Sequence, residues 1–230
     1  MIKLWEKKHT LSRSAAFSLV ELLVVLLIVF VIAGLAIGFL PNSRRRSVLQ
    51  ADAIALAYRI EQAKSLSQTL KQGNRPTTEY RLLFDSANRS YTAQVYENDT
   101  SITPVANRWK PAPAISSTPI RLNNGISFNY PPGANKPNYG PATAAITSPL
   151  PTVAMGGDAT IPEIRFNSRG FPVEWSTTTA VPPTLPRETN NEVYLTDGRE
   201  FFAVTVNVLG RIEVWAYTTA PAAAWVKISN

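Results

Sequence analysis

Residues 17–40 read FSLVELLVVLLIVFVIAGLAIGFL, and this stretch decides how the rest of the chain is interpreted. Ser18 and Glu21 are its only clearly polar side chains. As a helix with a rise of about 1.5 Å per residue, the stretch is about 36 Å long, more than the roughly 30 Å hydrocarbon core of a bilayer. The sequence therefore predicts a helix that can cross a membrane.

Two ordinary interpretations of this stretch fit less well. A secretory signal has an apolar core of about 7 to 15 residues, and this run is longer. A plain signal anchor fits the length. It gives no reason for the carboxylate of Glu21 so close to the start of the run, where an ionised group is costly and usually functional.

The residues around the start of the run resemble a known signal. Residues 14–29, SAAFSLVELLVVLLIV, follow a basic N-terminal stretch and resemble the class III signal of type IV prepilins and type II secretion pseudopilins. The resemblance implies cleavage by a prepilin peptidase between Ala16 and Phe17, followed by methylation of the new amino terminus at Phe17. The family usually has glycine before the cut, where this chain has Ala16.

Glu21 is then the fifth mature residue, where the family has its glutamate. In a filament whose apolar helices pack together, a buried ammonium group without a partner costs several kcal/mol. The resemblance implies that Glu21 compensates the amino terminus of a neighbouring subunit and so guides assembly.

The outer end of the apolar run contains helix-disturbing residues. Pro41 cannot donate a helical hydrogen bond, so we expect a kink near Gly38 and Pro41. Three arginines follow at positions 44–46. They are compatible with contact to anionic headgroups and equally with a solvated stop signal.

An amphipathic pattern then predicts a second helical half that ends near Gly73. Its apolar residues recur at three- and four-residue spacing, which is typical of a face that packs on a core: Leu49, Ala53, Leu56, Ile60, Ala63, Leu66 and Leu70. Beyond it, alternating patterns predict strands at residues 80–84, 91–96, 126–130, 163–166, 192–196, 201–207 and 211–217. Residues 97–160 are dense in proline and predict long surface loops.

This order of parts is similar to the GspH/FimT group of minor pseudopilins. The similar segments are EQAKSLSQTLKQ at 61–72, IRFNSRGFP at 164–172 and LGRIEVW at 209–215. The resemblance implies an α+β, pilin-like fold: a long N-terminal hydrophobic helix as the spine, packed on a mainly antiparallel head sheet. The expected parts are a leader (1–16), a transmembrane and filament-core helix (17–40), an amphipathic continuation (41–72) and a β-rich head (73–230).

Composition argues against an enzyme. The chain has no cysteine and one histidine, His9, which lies in the expected leader. The common nucleophile and base arrangements are therefore missing from the mature chain, and we expect no catalytic residue, metal or cofactor. The net charge of +7 leaves nucleic-acid binding open, with candidate contacts at Arg165, Arg169, Arg199 and Arg211.

The sequence thus predicts a minor pseudopilin or minor pilin of a type II secretion pseudopilus or type IV pilus. The expected partners are a prepilin peptidase, other pilin subunits and the inner membrane. The expected location is a single pass of that membrane, with a cytoplasmic N-terminus and a periplasmic head, and later the filament. The alternatives are a DNA-binding minor pilin in DNA uptake and a plain membrane-anchored binding domain.

Overall fold

The structure is a computed structural model of the chain. It describes residues 18–69, 79–96, 109–138, 145–154, 160–174, 185–186, 191–219 and 222–228. Within these ranges, side chains are not described for residues 35–43, 152–154, 160–161, 174 and 185–186.

The chain forms two compact units, residues 1–44 and 45–230. Helix α1, Leu19–Thr69, begins in the first unit and ends in the second. Its side chains are described in two stretches, residues 19–34 and 44–69.

The described residues of the second unit form thirteen strands. In chain order they are β1 (Tyr80–Asp85), β2 (Ser90–Tyr96), β3 (Trp109–Pro111), β4 (Ile120–Arg121), β5 (Ser127–Phe128), β6 (Thr152–Ala154), β7 (Thr160–Phe166), β8 (Val173–Glu174), β9 (Leu185–Pro186), β10 (Glu192–Thr196), β11 (Phe201–Val206), β12 (Ile212–Thr218) and β13 (Ala224–Lys227).

The strands form two main antiparallel sheets. The six-stranded sheet has the order β3-β2-β1-β7-β6, and β4 also pairs with β2. The five-stranded sheet has the order β13-β12-β11-β10-β5, and β8 pairs with β9 separately. Most neighbours in the five-stranded sheet are consecutive in the chain, so short turns join them.

One hydrophobic core joins the helix to both sheets. The predicted stripe of the amphipathic half is confirmed from Leu49 to Ala63, because its five apolar side chains are fully buried. Alternate residues of the sheets meet this stripe, among them Leu82 of β1, Ile164 of β7 and Val204 of β11. This period of two is what a sheet with one face on a core requires.

The seven predicted strands are confirmed, within one or two residues at most ends, as β1, β2, β5, β7, β10, β11 and β12. The sequence missed β3, β4 and β6, which interrupt the proline-dense region, and it also missed β8, β9 and β13. The proline-dense region is also less exposed than expected, since Pro131 and Pro137 are buried.

The predicted fold class is wrong. A pilin-like α+β fold needs one long apolar N-terminal helix as the spine of a single head sheet. Here the described strands divide between two main antiparallel sheets, and the stretch of the helix that packs on them, from Leu49 to Ala63, buries only a narrow apolar stripe.

The predicted single-pass location in the inner membrane is also contradicted. Within the residues that the structure describes, no helix is long and apolar enough to cross a membrane.

Candidate functional site

The start of helix α1 places Glu21 in a capping arrangement. The backbone N–H of Glu21 donates to the Ser18 hydroxyl at 3.1 Å, and the N–H of Leu22 donates to the Ser18 carbonyl at 3.2 Å. Ser18 is therefore the N-cap, and Glu21 is the third helical residue. Serine followed three residues later by glutamate is the capping-box pattern. This role was missed, although the spacing in SLVE could have revealed it.

The apolar residues that follow are exposed around the whole helix. From Leu19 to Ile32 the exposed fraction of the large apolar side chains ranges from 47% at Leu26 to 77% at Leu19. Continuous exposed apolar surface of this kind marks a region that another molecule covers. The helix thus offers a large apolar surface with one carboxylate near its start.

The structure does not test the other predictions for the N-terminal segment. Ala16 and Phe17 lie outside the described residues. Gly38 and Pro41 lie in the helical backbone of α1, within the part whose side chains are not described. Cleavage, methylation and the kink therefore stay predictions.

A buried ion pair lies on the face of the six-stranded sheet opposite the core. Arg81 of β1 contacts Glu163 of β7 with an Nη1–Oε2 distance of 2.6 Å, and both side chains are almost fully buried. Arg81 Nε also donates to Gln94 Oε1 at 2.7 Å, and its guanidinium lies 4.0 Å from the centre of the Trp109 ring. The guanidinium is thus fixed on three sides.

A second buried pair lies beside the first. Arg165 is directly opposite Arg81 in the β1–β7 register, and its Nε lies 3.6 Å from Glu79 Oε2. Burial raises the pKa of Glu79, an effect that Arg165 opposes. Burial likewise lowers the pKa of Arg81, an effect that Glu163 opposes. Two carboxylates therefore offset two like charges that face each other across adjacent strands.

This charged layer is a structural feature that sequence reasoning missed. Alternation in YRLLF and EIRF separates Arg81, Glu163 and Arg165 from the core-facing residues, and all three are nevertheless buried. A buried pair contributes little net stability because desolvation offsets the attraction, yet removal of one partner is costly. The layer thus holds β1 and β7 in one register rather than presenting a surface to a ligand.

Two turns of the same construction meet near the end of helix α1. Asn167 begins one and Asn207 begins the other, and each side-chain oxygen accepts from the backbone N–H groups two and four residues later. Gly170 and Gly210 complete the turns with φ of 79° and 77°. The Gln68 amide donates to the Arg169 carbonyl at 3.0 Å, so the first turn is tied to the helix.

These turns determine where the four candidate arginines lie. Arg169 and Arg211 belong to the two adjacent turns and are exposed. Arg199 lies in the β10–β11 turn, at the opposite end of β11 from Arg211. Arg165 is 1% exposed in the sheet. The structure therefore brings together two of the four, and nucleic-acid contact stays a prediction.

The described residues offer little for metal binding. Among them, no group of three or more histidine, cysteine, aspartate or glutamate side chains is placed to hold a metal ion. One open cavity of about 510 Å³ lies on the outer side of the five-stranded sheet and has no charged side chain in its lining, which includes Tyr130, Ile146 and Phe201.

Comparison with known proteins adds no relative. No family model, curated protein or solved structure matches the chain.

Proposed function

We propose that the chain is a minor pseudopilin or minor pilin, a subunit that a prepilin peptidase processes between Ala16 and Phe17. The mature subunit assembles into a type II secretion pseudopilus or a type IV pilus. It does so through the apolar half of helix α1, while the second unit provides the folded head.

The observation that carries this proposal is the exposed apolar surface of residues 19–32. Thirteen large apolar side chains in water are unfavourable, since each one gains about 1.5–3 kcal/mol when it is fully buried. Other copies of the same helix cover such a surface most simply, because each copy is apolar on every side. Helix packing between subunits is therefore the proposed mode of assembly.

Glu21 adds direction to this packing. A carboxylate at the start of an apolar helix favours a neighbour that brings a positive charge to the same level. The amino terminus created by cleavage at Phe17 has that charge. Pairing of Glu21 with this terminus sets the axial position of the new subunit. Apolar contacts alone do not determine this position.

The capping box makes a sharp test possible. Glutamine keeps the hydrogen-bonding capacity of a capping box but removes the charge. We expect Glu21→Gln to reduce incorporation into filaments as strongly as Glu21→Ala. The measurement is the amount of chain in sheared filament fractions from cells that also contain a prepilin peptidase.

The matched control is Glu61→Gln, on the exposed side of the amphipathic half. Among the described residues, Lys64 is the one ion-pair partner of Glu61. It should assemble normally. Normal assembly of Glu21→Gln together with failure of Glu21→Ala would assign Glu21 to capping alone and overturn the charge mechanism.

A further inference from the structure

In the described part of the chain, strand β13 is a free edge of the five-stranded sheet. β12 pairs with one side of it, and no strand in the described part of the chain pairs with the other. A free edge presents unpaired backbone donors and acceptors, to which another strand can add.

The hydrogen-bond pattern shows which residues face outward. The N–H of Ile228 donates to the Val214 carbonyl at 2.9 Å. In an antiparallel pair, successive residues alternate between bonding to the neighbour and pointing away from it. Val226 therefore directs its backbone groups towards β12, whereas Trp225 and Lys227 direct theirs towards the free edge.

The side chains at this edge are unusually apolar. Val226 is opposite Ala216, a core residue, and so lies on the core-facing side of the sheet. It is nevertheless 51% exposed, and Ile228 on the same side is 37% exposed. The core-facing side thus continues onto β13 without a cover from the described residues.

We propose that a second copy of this chain adds to the edge, with the two β13 strands antiparallel about a two-fold axis through Val226. Trp225 of each copy is then opposite Lys227 of the other, and these two pairs use all four outward N–H and all four outward C=O groups of the strands. A symmetric contact of this kind is complementary to itself. The two five-stranded sheets become one sheet of ten strands.

Charge favours this register. A two-fold axis through Lys227 instead places two ammonium groups directly opposite each other, which is destabilising. The axis through Val226 separates them, and each Lys227 keeps the ion pair with Glu213 of its own chain, at 2.8 Å. It also brings the two Val226 side chains together at a pair without hydrogen bonds, where side chains approach most closely.

This interface is independent of the proposed filament function, since it uses none of residues 16–34. Its failure and the failure of the Glu21 mechanism are therefore distinguishable in separate variants.

The chain has no cysteine, so single substitutions report the register directly. At the pair about the axis, the two Cα atoms lie about 4.5 Å apart, within the range of about 4.4–6.8 Å that a disulfide spans. We expect the full-length Val226→Cys chain to form disulfide dimers under mild oxidation. Two controls are Ile228→Cys, whose copies lie about 14 Å apart in this register, and Leu209→Cys, which is exposed at a distant turn.

The readout is the rate of dimer formation on non-reducing gels. Because pairing holds the thiols at a high effective concentration, Val226→Cys should cross-link at least about tenfold faster than both controls. All three chains carry the same apolar helix, so association through that helix raises the three rates alike. Equal rates in Val226→Cys and Leu209→Cys, or equal rates in Val226→Cys and Ile228→Cys, would overturn the proposal.

A proline tests the backbone contribution. Lys227→Pro in the Val226→Cys background removes an outward N–H and no backbone hydrogen bond to β12. It also removes the ion pair between Lys227 and Glu213, but Glu213 keeps Arg211 as a partner. The fold should persist while cross-linking falls to the rate of the Leu209→Cys control. A purified chain that stays monomeric would also contradict the pairing of two copies. The edge would then be a binding site for a strand of another protein.

Discussion

The two halves of helix α1 differ in what surrounds their apolar side chains. The difference assigns the first half to assembly with other molecules and the second half to the folding of its own chain. In residues 19–32 every large apolar side chain is exposed. In the stretch from Leu49 to Ala63 a narrow apolar stripe is fully buried, while Ile54 and Tyr58 on the other side are exposed. Among the described residues of the helix, only those of the second half contribute to the core. In the described part of the chain, nothing buries the apolar side chains of the first half.

The largest expected effect compares one leucine from each half. Leu56→Ala should lower the free energy of unfolding by about 3 kcal/mol, because it leaves a cavity among fully buried neighbours. Leu26→Ala should change it by less than about 0.5 kcal/mol, as an exposed residue does. Urea denaturation of the unassembled chain measures both. A comparable loss in Leu26→Ala would mean that the apolar half packs within its own chain.

The next effect concerns the turns beside the end of the amphipathic half. Gly210 has a positive φ, and a Cβ there would overlap the carbonyl oxygen of Gly170. We expect Gly210→Ala to cost about 2 kcal/mol or more, from strain and displacement of the neighbouring turn together. Gly125→Ala is the matched control, since it has the same strain but nothing within 4 Å, and it should cost about 1 kcal/mol. Equal costs would show that the turns do not hold each other in place.

A smaller effect belongs to the start of the apolar half. Ser18→Ala removes the acceptor for the Glu21 N–H and should weaken the first turn of the helix by about 1 kcal/mol. Hydrogen exchange at Glu21 and Leu22 should accelerate, while exchange in the amphipathic half stays unchanged. Ser65→Ala, inside the helix, is the control. Slower or unchanged exchange at Glu21 would show that Ser18 does not cap the helix.

The smallest effect is a dependence of the free energy of unfolding on pH, which arises in the second unit. Because burial raises the pKa of Glu79 above its ordinary 4.5, the folded protein holds that proton more tightly than the unfolded chain. Its contribution to stability is fully present below about pH 4.5 and is lost as the pH rises through the folded pKa. Glu79→Gln should remove this contribution, so the variant gains stability relative to the parent as the pH rises. A constant difference between the two would contradict the shift.

The predictable parts of the fold were those with a clear period. The stripe from Leu49 to Ala63 and the alternation in FFAVTVN identified the helix face and the strand, because burial on one side leaves a period in the sequence. The same alternation gives no sign that Arg81 and Glu163 are buried. It separates the two faces of a strand, but it does not reveal that the second face is covered as well.

The free edge was missed for a different reason. The residues before β13 are alanines and Pro221, which carry no strand signal, and only Trp225 and Val226 favour a strand. The strand is defined by its pairing with β12. A contact between distant residues of this kind is not encoded in local preference.

The most direct test of the proposed function is the mass of the N-terminal peptide of the chain from filament fractions, after expression with a prepilin peptidase. A peptide that begins at Phe17 and carries one methyl group on its amine is expected, since that amine is the proposed partner of Glu21. An intact Met1 terminus, or a terminus beyond residue 34, would contradict the proposal, because the apolar half would then enter the filament without its partner charge or not at all.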